Sequence, residues 1–278
     1  MKTKNGIILA AGIAAILALF SACVKENKTS ARTVEQIKKS GEIKIAVFSD
    51  KKPFGYVDEY GEYQGYDVYF GNRIAKDLSV KVKYVPVEAA SRVEFLVTGK
   101  VDIVLANFTV TPERAEKVDF ALPYMKVALG VVSPESALVT KPEDLIGKKL
   151  IISKGTTAET YFTKNYPEVE LLKFDQYAEA YSALLDGRGA GMSTDNTEVL
   201  AWALENPGYK VGIESLGELD TIAAAVQKGN TSLLEWINNE IVELGKENFF
   251  HTDYEATLRS TYGAESDADA LVVEGGKL

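Results

Sequence analysis

The chain has 278 residues, a formal net charge of −9 and 46% hydrophobic residues, a composition that suits a soluble globular body and excludes a disordered one. Its lysines and arginines form no basic patch, which argues against nucleic acid, since neutralising phosphates takes grouped cations. One cysteine and one histidine exclude an intrachain disulfide and give no metal-ligand cluster, so the fold must rest on its core.

At the amino terminus Lys2 and Lys4 precede an apolar run over residues 7–20, followed by Ser21-Ala22-Cys23. Charge, length and small exit residues predict a signal peptide over residues 1–22, the run being short of the about 20 residues of a membrane span. A cysteine directly after two small residues reads as a lipidation site at Cys23, with residues 23–32 as a polar tether. The alternative is ordinary cleavage after Ala22.

Residues 33–39 suit a short helix and 42–48 a half-buried strand. Asp58-Glu59-Tyr60-Gly61 is a hairpin turn, and Tyr66, Phe70, Ile74 and Leu78 mark one face of a helix. Alternation at Val80, Val82 and Tyr84 predicts a strand. Residues 92–98 predict a helix with Val93, Leu96 and Val97 inward and Gly99 past its end, and 101–107 a strand. Residues 127–132 form an apolar strand before a second β/α run. That run has strands over 149–153, 169–174 and 189–193. Its helices cover 158–165, the segment bearing Tyr177, Tyr181, Leu184 and Leu185, and 195–205. A strand over 221–226 and a helix over 231–248 complete the series. The alternation predicts an α/β fold in two lobes, each a mostly parallel sheet flanked by helices rather than a share in one sheet.

Chemistry concentrates where strands end. Residues 106–114 read Ala-Asn-Phe-Thr-Val-Thr-Pro-Glu-Arg: Thr111 is placed as an N-cap, Pro112 as the first helical residue, and Glu113 at the positive end of the dipole. Arg114 then leaves the first turn ready to grip a carboxylate through two parallel hydrogen bonds, or else pairs with Glu113 or Asp119 at the surface. Gly155-Thr156-Thr157 opens a helix whose free N–H groups favour an anionic group or simply form a cap. Asp195 ends a strand and could itself be an N-cap, Thr109 a turn residue and Phe54 a core residue.

Thr-x-Thr-Pro-Glu-Arg after Val-Asp-Ile-Val-Leu-Ala-Asn-Phe resembles the polar amino-acid branch, family 3, of the bacterial extracellular solute-binding proteins that feed ABC importers. The resemblance implies a type II periplasmic-binding-protein fold with a two-strand hinge over 127–132 and 219–226. Lobe 1 would comprise 33–128 and 224–278, and lobe 2 residues 129–223. It implies that Phe54 covers the ligand's aliphatic part, that Thr109 and the backbone of Asn107 take its ammonium together with Asp195, and that the Thr109 amide and Arg114 face its carboxylate. Arg92, at the position where acidic amino-acid binders of the family carry an arginine, would read the side chain, or else pair with Glu88 or Glu94. The runs at 87–96, 123–131 and 154–158, Asp-Asn-Thr at 195–197 and the ending Val-Glu-Gly-Gly-Lys are similar to the family's cysteine-binding lipoproteins. Cysteine is therefore the expected ligand, with a guanidinium favouring its thiolate, and aspartate or glutamate the alternative.

The implied partners are a free amino acid, an ABC permease and a membrane reached through the lipid anchor alone. A monomer without cofactor or metal is expected. An enzyme like the family's cyclohexadienyl dehydratases would need a proton donor in the cleft, and His251, between Phe250 and Thr252, reads as a packing or surface residue instead.

Overall fold

Residues 31–278 are those the computed structural model describes, so the signal peptide and Cys23 lie outside them. The first helix, α1 (Val34–Ser40), shows how closely local sequence sets its ends. Thr33 caps it by accepting from the Gln36 amide, Gln36 reaches back to the cap, and Gly41 ends it at φ 72°. Strand β1 (Glu42–Val47) follows, then the small hairpin sheet β2 (Asp50–Lys51), β3 (Gly55–Val57) and β4 (Tyr63–Gln64). Helix α2 (Tyr66–Leu78) buries Tyr66, Phe70, Ile74 and Leu78, the predicted face. Each such side chain contributes about 1.5–3 kcal/mol when fully buried.

The first half continues through β5 (Lys81–Pro86), α3 (Arg92–Val97), β6 (Ile103–Val104), the single turn α4 (Pro112–Ala115) and the long β7 (Val118–Pro134). The second half runs β8 (Lys149–Ser153), α5 (Thr157–Asn165), β9 (Glu170–Phe174), α6 (Tyr177–Leu185), β10 (Gly191–Asp195) and α7 (Asn196–Glu205). Strand β11 (Tyr209–Gln227) returns to the first half, where α8 (Thr231–Lys246) and α9 (Phe249–Thr257) finish the helical layer.

Within each half the sheet is parallel, β5-β1-β6 in one and β10-β8-β9 in the other. The two sets are joined in one eight-stranded order, β5-β1-β6-β11-β7-β10-β8-β9, which corrects the expectation of separate sheets. The crossing strands are much longer than predicted, 17 and 19 residues, and pair antiparallel from Tyr209↔Pro134 to Gln227↔Val118. Register shifts interrupt that ladder between Val211 and Ala225. Such bulges bend and twist a strand pair locally, which is what a hinge between two halves requires.

Each half has its own core, around Phe70, Tyr124 and Phe250 in one and around Ile152, Phe162 and Leu145 in the other. A third cluster spans both, bringing Phe48, Leu96 and Phe108 against Ile151, Tyr177 and Met192. Val97, expected inward, is 49% exposed. In the six-residue α3 the inward face is instead the i, i+4 pair Arg92 and Leu96, so Val97 is rotated off it. Beyond Val104 the expected strand 101–107 leaves the sheet. The tail folds back on β7, with the Val273 amide donating to Tyr124 O at 3.0 Å. His251 lies 2.8 Å from both Glu274 Oε2 and Asp269 Oδ1, tying α9 to that tail.

Candidate ligand-binding site

The pocket begins where the chain kinks off β6. Asn107 sits at φ 44°, a left-handed value that asparagine tolerates better than most residues. The kink turns the carbonyls of Ala106 and Asn107 together toward Arg92, whose Nη1 donates to them at 3.0 and 3.2 Å. Arg92 Nε donates to Ala89 O at 2.9 Å and Nη2 to Gly155 O, in the other half, at 3.2 Å. Neither Glu88 nor Glu94 is its partner. Thr111 caps α4 through the Arg114 amide, as its sequence predicts. The Arg114 side chain turns back to Thr109 O at 2.7 Å and Gly155 O at 3.0 Å. Asp119, its other suggested partner, is taken by Lys228.

Both guanidiniums stand over the ring of Phe108, with Cζ 4.5 and 4.7 Å from its centroid, a cation–π arrangement that strengthens as water is excluded. Burial lowers the pKa of Arg92, and burial followed by the field of Arg92 lowers that of Arg114. Both remain charged at neutral pH. Among the described residues neither makes a salt bridge to a carboxylate. The result is a strongly positive wall.

Gly155 belongs to the facing wall, and there the halves touch. At φ 73°, a Cβ on it would lie 2.4 Å from Ala90 Cα, so only glycine allows this approach and the shared carbonyl it offers. Thr156 then caps α5 by accepting from the Glu159 amide, and Glu159 accepts from the Gly155 amide. The first-turn N–H groups, which a helix leaves unsatisfied, start at Thr157.

Asp195 stands at the N-cap position of α7 yet makes no side-chain cap bond. Its carboxylate instead accepts from Asn107 Nδ2 at 2.7 Å and from Lys51 Nζ at 2.6 Å. Lys51, 1% exposed, crosses from β2 to the second half. Its ammonium also meets Glu198 at 3.2 Å and the Tyr177 hydroxyl at 3.3 Å. Burial opposes the charge on Lys51 most, but Asp195 and Glu198 outweigh it and raise the pKa. Burial pushes Glu198 up to about 7 against the pull of Lys51. Behind Asn107, burial lifts Asp67 to about 6, while the Tyr124 hydroxyl and the Asn107 amide hold it down.

Seven of the eight residues expected at the site, Arg92, Asn107, Thr109, Arg114, Thr156, Thr157 and Asp195, line one small pocket. Phe54 does not: it is fully buried in the core of the first half, where a large aromatic removes more apolar surface from water than at a polar pocket. Tyr177 is the aromatic that lines the pocket. The Asn107 carbonyl, expected to receive an ammonium, is engaged by Arg92. The atom left over is Asn107 Oδ1, buried and without a partner. Lys51 escaped sequence reasoning because Lys51-Lys52 reads as a solvated pair, and Lys52 is indeed half-exposed against Glu205. A wider cavity of about 380 Å³ adjoins the pocket and shares Arg114 and Thr157 with it.

Two α/β halves joined by paired crossing strands, with a polar pocket walled by both, define a two-lobed solute-binding protein. Residues 43–255 match the model of the bacterial extracellular solute-binding proteins, family 3, and the chain belongs to that family. Its fold is similar to that of a solute receptor for L-cysteine of Neisseria gonorrhoeae, with 52% identity, a TM-score of 0.86, and 87% of this chain and 100% of that one covered. A cysteine-binding protein from Campylobacter jejuni is 53% identical with a TM-score of 0.85, over 87% of this chain and 98% of that one. A glutamine-binding ABC transporter protein of Bacillus subtilis is 28% identical over 240 residues, 84% of this chain and 87% of that protein. The chain is thus an exported member of an amino-acid-transport family whose similar structures are binding proteins.

Proposed function

We propose that the protein binds free L-cysteine between its two lobes, 33–128 with 224–278 and 129–223, and delivers it to the permease of an ABC importer. The observation that carries this reading is the pair of guanidiniums, Arg92 buried and Arg114 half-buried, whose hydrogen-bond partners among the described residues are all main-chain carbonyls. A buried cation without a carboxylate awaits an anion. The α-carboxylate meets Arg114 and the first-turn amides at Thr157. The ammonium meets Asp195, Asn107 Oδ1 and Thr109. Because Arg92 and Arg114 come from one half and Thr157 and Asp195 from the other, a ligand touching both favours the closed state by its differential affinity. The choice of cysteine is supported by the likeness to the L-cysteine receptor and the cysteine-binding protein, at 52% and 53% identity.

The protein acts as a monomer, held to the membrane by lipid on Cys23, on the periplasmic or cell-surface side, and catalyses nothing. His251, engaged with the tail, supports the last point. Calorimetric titration with L-cysteine under reducing conditions, then with L-glutamate and L-aspartate, tests the reading. Binding of cysteine at about 1 μM or tighter, roughly −8 kcal/mol, is expected, and Arg114→Ala and Asp195→Asn abolish it. Preference for an acidic amino acid would reassign Arg92 to a carboxylate. Binding indifferent to both substitutions would overturn the site.

A further inference from the structure

Arg92 and Arg114 have different numbers of donors left, and the difference bears on the ionisation state of the ligand. The inference rests on the cysteine reading above. A guanidinium carries five N–H groups in a fixed fork. Arg114 directs one at Thr109 O and one at Gly155 O, which leaves three, with one on each terminal nitrogen. That is the arrangement a carboxylate accepts with both oxygens. Arg92 directs its donors at four carbonyls, those of Ala89, Ala106, Asn107 and Gly155. One N–H remains, on a cation that is 3% exposed and unpaired with any carboxylate among the described residues. A second carboxylate would find half its partners there. A single-atom anion finds one donor and an uncompensated positive charge.

We propose that the ligand is held as the thiolate of L-cysteine, its sulfur on the free N–H of Arg92 and its α-carboxylate on Arg114. The free ligand enters as a zwitterion with an intact S–H, and binding passes that proton to the solvent. The bound species carries a carboxylate, an ammonium and a thiolate, net −1. A thiol of ordinary pKa about 8.5 ionises readily beside a cation, and here two cations share the Phe108 ring.

Other charged or titratable groups face Arg92: Asp67 from α2, Arg114 from α4, Tyr124 from β7, Tyr177 from α6 and Asp195 at the end of β10, with Lys51 and Glu198 beyond Asp195. Glu198 at about 7 and Asp67 at about 6 titrate in the range of the test, so their protons must be separated from the ligand's. S-methyl-L-cysteine makes the separation, since it keeps the sulfur and has no thiol proton.

The test is calorimetry of the full chain with L-cysteine at about pH 7 in two buffers of different ionisation enthalpy, repeated across pH. Because a free thiol is almost wholly protonated there, nearly one proton should be released per ligand. Affinity should rise about tenfold per pH unit until the free thiol itself ionises near 8.5. The difference spectrum of the complex should show the thiolate's ultraviolet band, and Arg92→Gln should remove the pH slope. Cysteine binding with no proton release, a flat pH profile or no thiolate band overturns the proposal and leaves cysteine binding standing. Equal proton release with S-methyl-L-cysteine assigns the proton to the protein and also overturns it. Absence of cysteine binding would remove both readings together. Should Arg92→Gln not fold, the proton count of the unaltered protein decides alone.

Discussion

The pocket gathers three cations, and its two ends neutralise them in opposite ways. At one end Lys51 from the first half is met by Asp195 and Glu198 from the second, at 2.6 and 3.2 Å. At the other, Arg92 and Arg114 meet main-chain carbonyls and aromatic rings, Phe108 under both and Phe48 beside Arg92, and no carboxylate among the described residues forms a salt bridge with them. The first end has counter-charges for its cation within the protein and braces the two halves. The second is well organised but short of negative charge, and that shortage is what makes it a place for a ligand. The same residue class therefore serves structure or recognition according to what lies within reach of its charge.

Breaking the paired end should cost the most. Lys51→Met keeps much of the side-chain length and leaves Asp195 and Glu198 buried together without a cation, so a loss of about 3–5 kcal/mol is expected, read as a lower Tm. Adding Glu198→Gln should recover part of it, because burial already makes that carboxyl hard to ionise, at about 7. A Lys51→Met protein as stable as the parent would remove the brace from the comparison.

Altering the other end should change binding and spare the fold. Arg114→Lys retains the charge and loses the fork, so L-cysteine should bind about 10- to 100-fold more weakly, roughly 1.4–3 kcal/mol, with Tm nearly unchanged. A large drop in Tm would mean that the contacts of Arg114 with Thr109 and Gly155 are structural after all.

The smallest effect lies away from the pocket, at the tie between α9 and the tail. Burial opposes the charged form of His251, but hydrogen bonds to Glu274 and Asp269 win and raise its pKa. A raised histidine stabilises fully below its unfolded value of about 6.5 and loses that contribution as pH rises through the folded value. His251→Gln should therefore lower Tm most in mildly acidic solution, with the difference fading toward alkaline pH. A deficit that is constant with pH would make the tie one of shape alone.

The segments that read clearly were those whose evidence is local. The α2 face, the Thr33, Thr111 and Thr156 caps and the β8 limits follow from spacing within one turn or one strand, where the interacting residues are neighbours in sequence. The residues that line one pocket were singled out through strand-end motifs, because a cap or a helix start carries its own local signature, whereas the kink at Asn107 carried none. Three features were not legible. Phe54 was drawn to the core, Lys51 was hidden in an ordinary lysine pair, and the crossing strands proved far longer than the apolar runs that marked them.

By itself the sequence determined the α/β alternation, the cap positions and the presence of Arg92 and Arg114 beside strand ends, since these depend on backbone preferences and periodicity acting over a few residues. Only the tertiary structure decided which cation would find a carboxylate. Lys51 lies 144 residues from Asp195 in the chain, and whether a buried charge is paired or left to a ligand depends on distances that exist only once the two halves have met.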